Sequence, residues 1–214
     1  MWGDWIVAWR RKPFRIHFIL SVLGIVAFAA SLPYFFNSIL LPKPGVQLKD
    51  AVLGFFEPKD WSIEIFVLLY SLTVVSLLLN CRKPHTILLM FQMYTVVNFM
   101  RMTSLFLFTL EAPDGTIPLR DPFLTVFAYG QEVYVKDLFF SGHISTLCIL
   151  FLVERRKIMK GVILISTFLV AVLLAWQRVH YTLDMLAAPL IAWLVFRFFG
   201  WFNDTLNIFP AKHH

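Results

Sequence analysis

Apolar residues gather along this chain in six blocks, at about 16–41, 62–81, 86–110, 139–153, 159–177 and 180–202. Each block is apolar all round, with neither strand-like alternation nor a narrow helical stripe. Crossing the hydrocarbon core of a bilayer takes roughly 20 apolar residues in helical form. The fourth block is short by that measure, and is expected to begin inside the loop before it. Helices satisfy their own backbone groups where no water can. The pattern therefore predicts an all-α, polytopic membrane protein with six transmembrane helices. Ahead of the first block, Trp2, Trp5, Ile6 and Trp9 recur at helical spacing among basic residues. That spacing predicts an N-terminal interfacial amphipathic helix over 1–15, with a disordered basic leader as the alternative. The six-helix domain is then 16–203, and 204–214 is a tail.

Composition strengthens this picture. The 214 residues are 59% hydrophobic, include 23 Phe and 7 Trp, and have a mean hydropathy of +0.73. Only 15% are charged, against about 25% in soluble domains. A soluble domain of this length has too little interior for so much apolar surface. The two cysteines, Cys81 and Cys148, lie in or beside apolar blocks and supply neither a disulfide framework nor a zinc finger. No A-x-A-like cleavage site follows the basic start, so no cleaved signal peptide is expected.

Charge orients the chain. Twelve Lys and Arg residues fall at the N-terminus, the RKPH turn at 82–85, the ERRKIMK turn at 154–160 and the C-terminal end. Six fall in the loops at 42–61 and 111–138 and in the last turn. The excess places both termini in the cytoplasm. The 111–138 loop is then external, with Glu111, Asp114, Asp121, Glu132 and Asp137 against Arg120 and Lys136.

Polar residues inside the apolar blocks carry the chemistry, because ionisable side chains in a membrane are expensive and seldom idle. The fourth block opens with FFSGHISTLC and the sixth with HYTLDMLAA. His180 and Asp184, four residues apart, share one helix face, so the carboxylate can hold one imidazole nitrogen and leave the other basic. His143 enters from the same side on another helix. Arg101 sits in the outer half of the third block, at a similar depth. Two histidines, a carboxylate and a guanidinium suit phosphoryl transfer: one imidazole attacks phosphorus, the other handles the proton, and the arginine stabilises the oxygens. Two bland readings stand beside this one. The histidines and carboxylate also match a zinc set, although Arg101 would repel a cation, and His180–Asp184 alone fits a structural helix start.

SGH followed by HYTLD about 40 residues later resembles the lipid phosphatase and phosphotransferase superfamily typified by type-2 phosphatidic acid phosphatases. Within it, the chain resembles the sphingomyelin synthase branch. That branch has an aspartate six residues before the first motif's histidine, and Asp137 stands there. Its second motif reads HYTxD, matched by His180, Tyr181, Thr182 and Asp184. Its third helix carries an arginine followed by Thr-Leu and a proline, matched by Arg101, Thr109, Leu110 and Pro113. The phosphatases' Lys-x6-Arg-Pro motif is absent, and Leu174 occupies the place of their later arginine. The likeness covers roughly 95–195. Glu111 and Met102 depart from the branch pattern, which leaves the substrate pair open.

The resemblance implies a head-group transferase with catalytic His143, His180 and Asp184, supported by Asp137. It would pass a phosphocholine- or phosphoethanolamine-type group from a phospholipid donor to a ceramide or diacylglycerol-like acceptor at the outer face. Arg101, Ser141 and Arg178 are the expected phosphate-binding residues. Arg178 equally suits a side chain reaching to outer headgroups, and Asp137 is either an orienting group for His143 or a loop charge. No cofactor, metal or nucleic-acid partner is expected. A lipid phosphate phosphatase of the same superfamily and a non-enzymatic membrane protein with a structural polar cluster are the alternatives.

Overall fold

A computed structural model describes residues 3–55, 57–121 and 136–208. Glu132, Trp2 and most of the expected tail, including His213 and His214, lie outside the described residues. Those residues form seven α-helices: α1 Gly3–Arg10, α2 Lys12–Tyr34, α3 Ser62–Asn80, α4 Pro84–Leu107, α5 Gly142–Val153, α6 Lys157–Trp176 and α7 Thr182–Thr205. Pro33 lies in the last turn of α2, where it removes a helical donor, and a π-helical stretch, Phe35–Leu40, follows.

Lys12–Leu40, α3, α6 and α7 are long and apolar enough to cross a membrane. Their outward faces expose Leu23, Val67, Phe168 and Leu186 among many others, far more apolar surface than a soluble protein leaves bare. Several such helices mark a membrane protein. The third and fourth expected blocks differ from these. α4 is 24 residues long, about 36 Å at the usual rise, but Gln92, Asn98 and Arg101 dilute it, and all three are buried. α5 has only 12 residues, about 18 Å.

α5 begins at Gly142, where the sequence suggested 139, because Ser141 ends the extended segment before it. The Ile144 N–H donates to the Ser141 hydroxyl at 3.5 Å, an N-cap that fixes the first turn. α5 packs against α3, α4, α6 and α7 and buries Ile144, Leu147, Ile149 and Leu150 around it. It is the shaft of the bundle, and its all-round apolarity serves helix neighbours. α4 likewise ends three residues before the predicted limit. Thr109 to Glu111 leave the helix to pair with the 42–61 loop, through Val46 N–H to Thr109 O at 3.0 Å and Glu111 N–H to Val46 O at 3.1 Å.

Polar pairs hold the far end of the bundle. Gln92 on α4 and Asn203 on α7 exchange amide hydrogen bonds of 3.0 and 2.9 Å while almost wholly buried. In an apolar surrounding such side-chain bonds contribute about 0.6 kcal/mol on average. Between α5 and α6, buried Glu154 accepts from the Arg155 and Arg156 amides, both at 2.8 Å, and from Asn80 at 3.2 Å.

Candidate active site

Two helix starts meet at the other end. α5 opens on SGH and α7 on the turn that carries His180. The Ser141 N–H donates to the Asp184 carbonyl at 3.2 Å, so one backbone bond joins the two sequence motifs. The turn itself depends on Arg178, which closes α6 in the left-handed conformation at φ 57°, a position usually given to glycine. Its guanidinium donates to the Asp114 carbonyl at 3.0 Å, which ties the turn to the loop after α4.

His180 is 2% exposed and Asp184 fully buried. Asp184 Oδ2 accepts the Tyr181 N–H at 2.9 Å and lies 3.6 Å from His180 Nδ1. The carboxylate therefore caps α7 and faces the imidazole at slightly more than hydrogen-bond length, as unliganded catalytic pairs often do. The His143 and His180 rings are 6.0 Å apart between centroids, close enough to address one bound group from two sides. Phe66 meets His143 edge-on at 5.4 Å. Within the described residues, His143 Nδ1 has no hydrogen-bond partner.

Arg101 reaches across from α4. Its Nε donates to the Phe140 carbonyl at 2.9 Å, and its Nη2 forms an ion pair with Asp137. Ser104, one turn on, donates to the Phe139 carbonyl at 2.8 Å. Together they seat the segment that leads into α5. The glycine of SGH follows from this: a Cβ on Gly142 would sit 3.1 Å from Arg101 Cζ and Nε, so a larger residue would push the guanidinium aside.

Of the expected site residues, His143, His180, Arg101 and Asp137 line one cavity of about 470 Å³, a size common for small-ligand pockets. Asp184 stands directly behind His180. Three expectations change in detail. Asp137 is engaged by Arg101, and among the described residues no hydrogen bond joins it to His143. Ser141 is fully buried and spends its hydroxyl on the helix cap. Arg178 is not part of the cavity wall and grips the loop. The rest of the wall is largely apolar, with Phe28, Leu32 and Phe36 facing Phe66 and Leu69 across the space. Arg120 adds a second guanidinium at the rim. Two helix N-termini and Arg101 favour an anion at the polar end, and the apolar remainder suits hydrocarbon.

Residues 136–202 match the family model described as PAP2 superfamily C-terminal. The match takes in α5, α6, most of α7 and both histidine motifs, and it supports the type-2 phosphatidic acid phosphatase superfamily, whose members are typically phosphatases and phosphotransferases. No curated protein matches the chain.

Support for the His180 turn comes largely from residues outside the two motifs. Asp50 accepts the Thr182 N–H at 2.6 Å and the Thr182 hydroxyl at 3.1 Å. The Tyr181 hydroxyl donates to the Glu111 carbonyl at 2.9 Å and accepts the Leu48 N–H at 3.1 Å. Gln177, fully buried, donates to Ser62 Oγ at 3.0 Å and the Ile117 carbonyl at 3.1 Å, and accepts from Trp61 N–H at 2.9 Å. Burial pushes the Asp50 carboxyl upward. The donors from Thr182, Val52 and Leu53 outweigh that and hold it below the ordinary carboxylate value.

A carboxylate lowered in this way adds stability above its unfolded pKa, about 3.9, and loses it as pH falls through the folded value. Asp50→Ala is expected to cost about 0.5–1 kcal/mol at pH 7, the low end for a cap because the group is only half-buried. Its thermal midpoint in detergent should approach that of the wild type as pH drops below about 4. Equal midpoints at pH 7 would show that the Thr182 amide does not need Asp50.

Proposed function

We propose that this protein moves the phospho-headgroup of a membrane lipid through a phospho-histidine, with His180 as nucleophile. The observation that supports this most is the convergence of His180–Asp184, His143 and Arg101 on one cavity with a polar end and an apolar body. Asp184 faces Nδ1 of His180, so Nε2 attacks phosphorus. The bond from phosphorus to the glyceride oxygen breaks, and protonated His143 gives that oxygen its proton, releasing diacylglycerol. His143, now neutral, takes the proton of an acceptor hydroxyl, whose oxygen attacks phosphorus and frees His180. Arg101 lies against the phosphate oxygens. Its ion pair with Asp137 makes Asp137 a positioning group for the guanidinium, so Asp137 acts on His143 only at second hand.

The acceptor is a lipid hydroxyl, ceramide or diacylglycerol-like, in keeping with the sphingomyelin synthase likeness. Water as acceptor gives the phosphatase reading. Leu174, where phosphatases carry an arginine, is fully buried and is not part of the cavity wall, which favours the transferase. The proposed arrangement has six membrane passes, α2 to α7. α4 and the short α5 are shielded by the four apolar helices, α1 lies on the inner surface, and the site opens to the outer leaflet.

Incubating the purified protein with labelled phosphatidylcholine or phosphatidylethanolamine, with and without ceramide, should give a labelled sphingolipid only when ceramide is present. His180→Ala should lower transfer and donor hydrolysis by at least a thousandfold, whereas Asp137→Asn should lose less, since it forms no bond to phosphorus. Soluble phospho-headgroup as the main product in both mixtures would identify a phosphatase. Absence of either product would leave the cluster a structural one.

The orientation has its own check, in a background with both native cysteines replaced by serine. Lys49→Cys should react with a membrane-impermeant maleimide in intact cells, and Lys157→Cys only after permeabilisation. The reverse pattern would move the site to the inner face.

A further inference from the structure

At the opposite end of the bundle from His143 and His180, α1 folds back on the start of α2. Two bonds hold it there. The Trp5 indole N–H donates to the Cys81 carbonyl at 2.6 Å, and Arg11 Nη2 donates to the Asn207 carbonyl at 2.6 Å. Ala8 is buried against the corner, with Phe14, Leu88 and Ile208 in the same small core. Trp5 and Trp9 stand edge-on to Phe18, each at 5.6 Å between centroids. Trp9 (41%), Ile6 (57%) and Val7 (63%) remain open outward. An open groove of about 450 Å³ lies in this corner, lined by Trp5, Ile6, Trp9, Arg10 and Arg15. Arg11 is committed to the segment after α7. Arg10 and Arg15 have no ion pair or side-chain hydrogen bond among the described residues. Asp4, the acidic residue of α1, is not part of the groove wall.

We propose that this groove is a binding site for one anionic phospholipid, its phosphate on Arg10 and Arg15 and its upper acyl chain against Trp5, Trp9 and Ile6. Two arginines that no described residue pairs, on the wall of an otherwise aromatic and aliphatic groove, suit a ligand that is anionic at one end and hydrocarbon at the other. Guanidinium binds phosphate through paired N–H donors, and indole rings favour the boundary between headgroups and chains. A neutral peptide segment would leave both charges unanswered. A free phosphate would leave the aromatic floor bare. The occupant is therefore a lipid of the leaflet in which this end of the bundle lies. The inference needs that end to meet a membrane surface, and it is independent of the reaction proposed for the histidines.

Native mass spectrometry tests it, with the whole protein released from micelles containing equal phosphatidylglycerol and phosphatidylcholine. One phosphatidylglycerol should be retained in preference. Each basic group near an anionic lipid is worth about 1 kcal/mol, so Arg10→Gln with Arg15→Gln should weaken retention roughly 30-fold. A control pair, Lys157→Gln with Lys160→Gln, removes equal charge elsewhere and should retain the lipid. Trp9→Ala, which keeps both arginines, should also weaken retention. Unselective retention of both lipids, undiminished phosphatidylglycerol in the arginine pair, or equal loss in the lysine pair would overturn the site. Displacement of the bound lipid by millimolar glycerol 3-phosphate would also overturn it, because the chain contacts would then count for nothing. Transfer activity in phosphatidylcholine micelles reports separately on the histidine site and is expected to survive these substitutions.

Discussion

A guanidinium inside an apolar bundle must be satisfied where it stands, since it cannot lose its proton. Arg101 is satisfied by the segment that delivers the first histidine. Its charge is met by Asp137, its Nε by the Phe140 carbonyl, and its flat face by a position with no Cβ, Gly142. Buried ion pairs add little net stability, because desolvation offsets most of the attraction. What this one supplies is register. With Arg101 fixed on α4, α5 has one place to start, and His143 lies at its second residue. The backbone bond from Ser141 to Asp184 then carries the same register to α7 and His180. Losing the guanidinium would release the segment that holds both motifs together.

The sequence made the candidate cluster legible and hid its support. SGH and HYTLD are local strings, and His180 with Asp184 is a helix-period pair, so their spacing alone suggested one face. Arg101 stood out because a charge in an apolar block is rare. Asp50, Gln177 and the Tyr181 hydroxyl act across separations of 60 residues or more, and nothing in composition marks a loop carboxylate as the acceptor for a distant helix start. Arg178 was read two ways, as a phosphate-binding group or as a side chain reaching to headgroups. A non-glycine residue in the left-handed region leaves no signature, so the turn its backbone makes was in neither reading. Ser141 looked like a ligand-facing hydroxyl, but the helix cap claimed it.

The all-helical class was legible, whereas four of the six expected spans are long and apolar enough to cross a membrane. Hydropathy found α2, α3, α6 and α7 because they face outward. α4 and α5 face inward, where polar side chains can be paired and a short helix can be covered, so length and apolarity describe them poorly. The two ends of the bundle also differ in kind. One gathers two helix starts, histidines and Arg101 around a partly apolar cavity. The other gathers indoles and two arginines unpaired among the described residues around an open groove. Many of the chain's basic residues crowd the second end.

The central claim is that His180 carries the phosphoryl group while His143 moves protons. Donors with an activated leaving group need little protonation, so they separate the two roles. Such a phospholipid analogue would be incubated with wild type, His143→Ala and His180→Ala, and the quenched protein mapped by mass spectrometry under non-acidic conditions. An acid-labile phospho-adduct is predicted on His180 in the wild type, persisting in part in His143→Ala and absent from His180→Ala. An adduct on His143, or turnover by His180→Ala, would contradict the assignment.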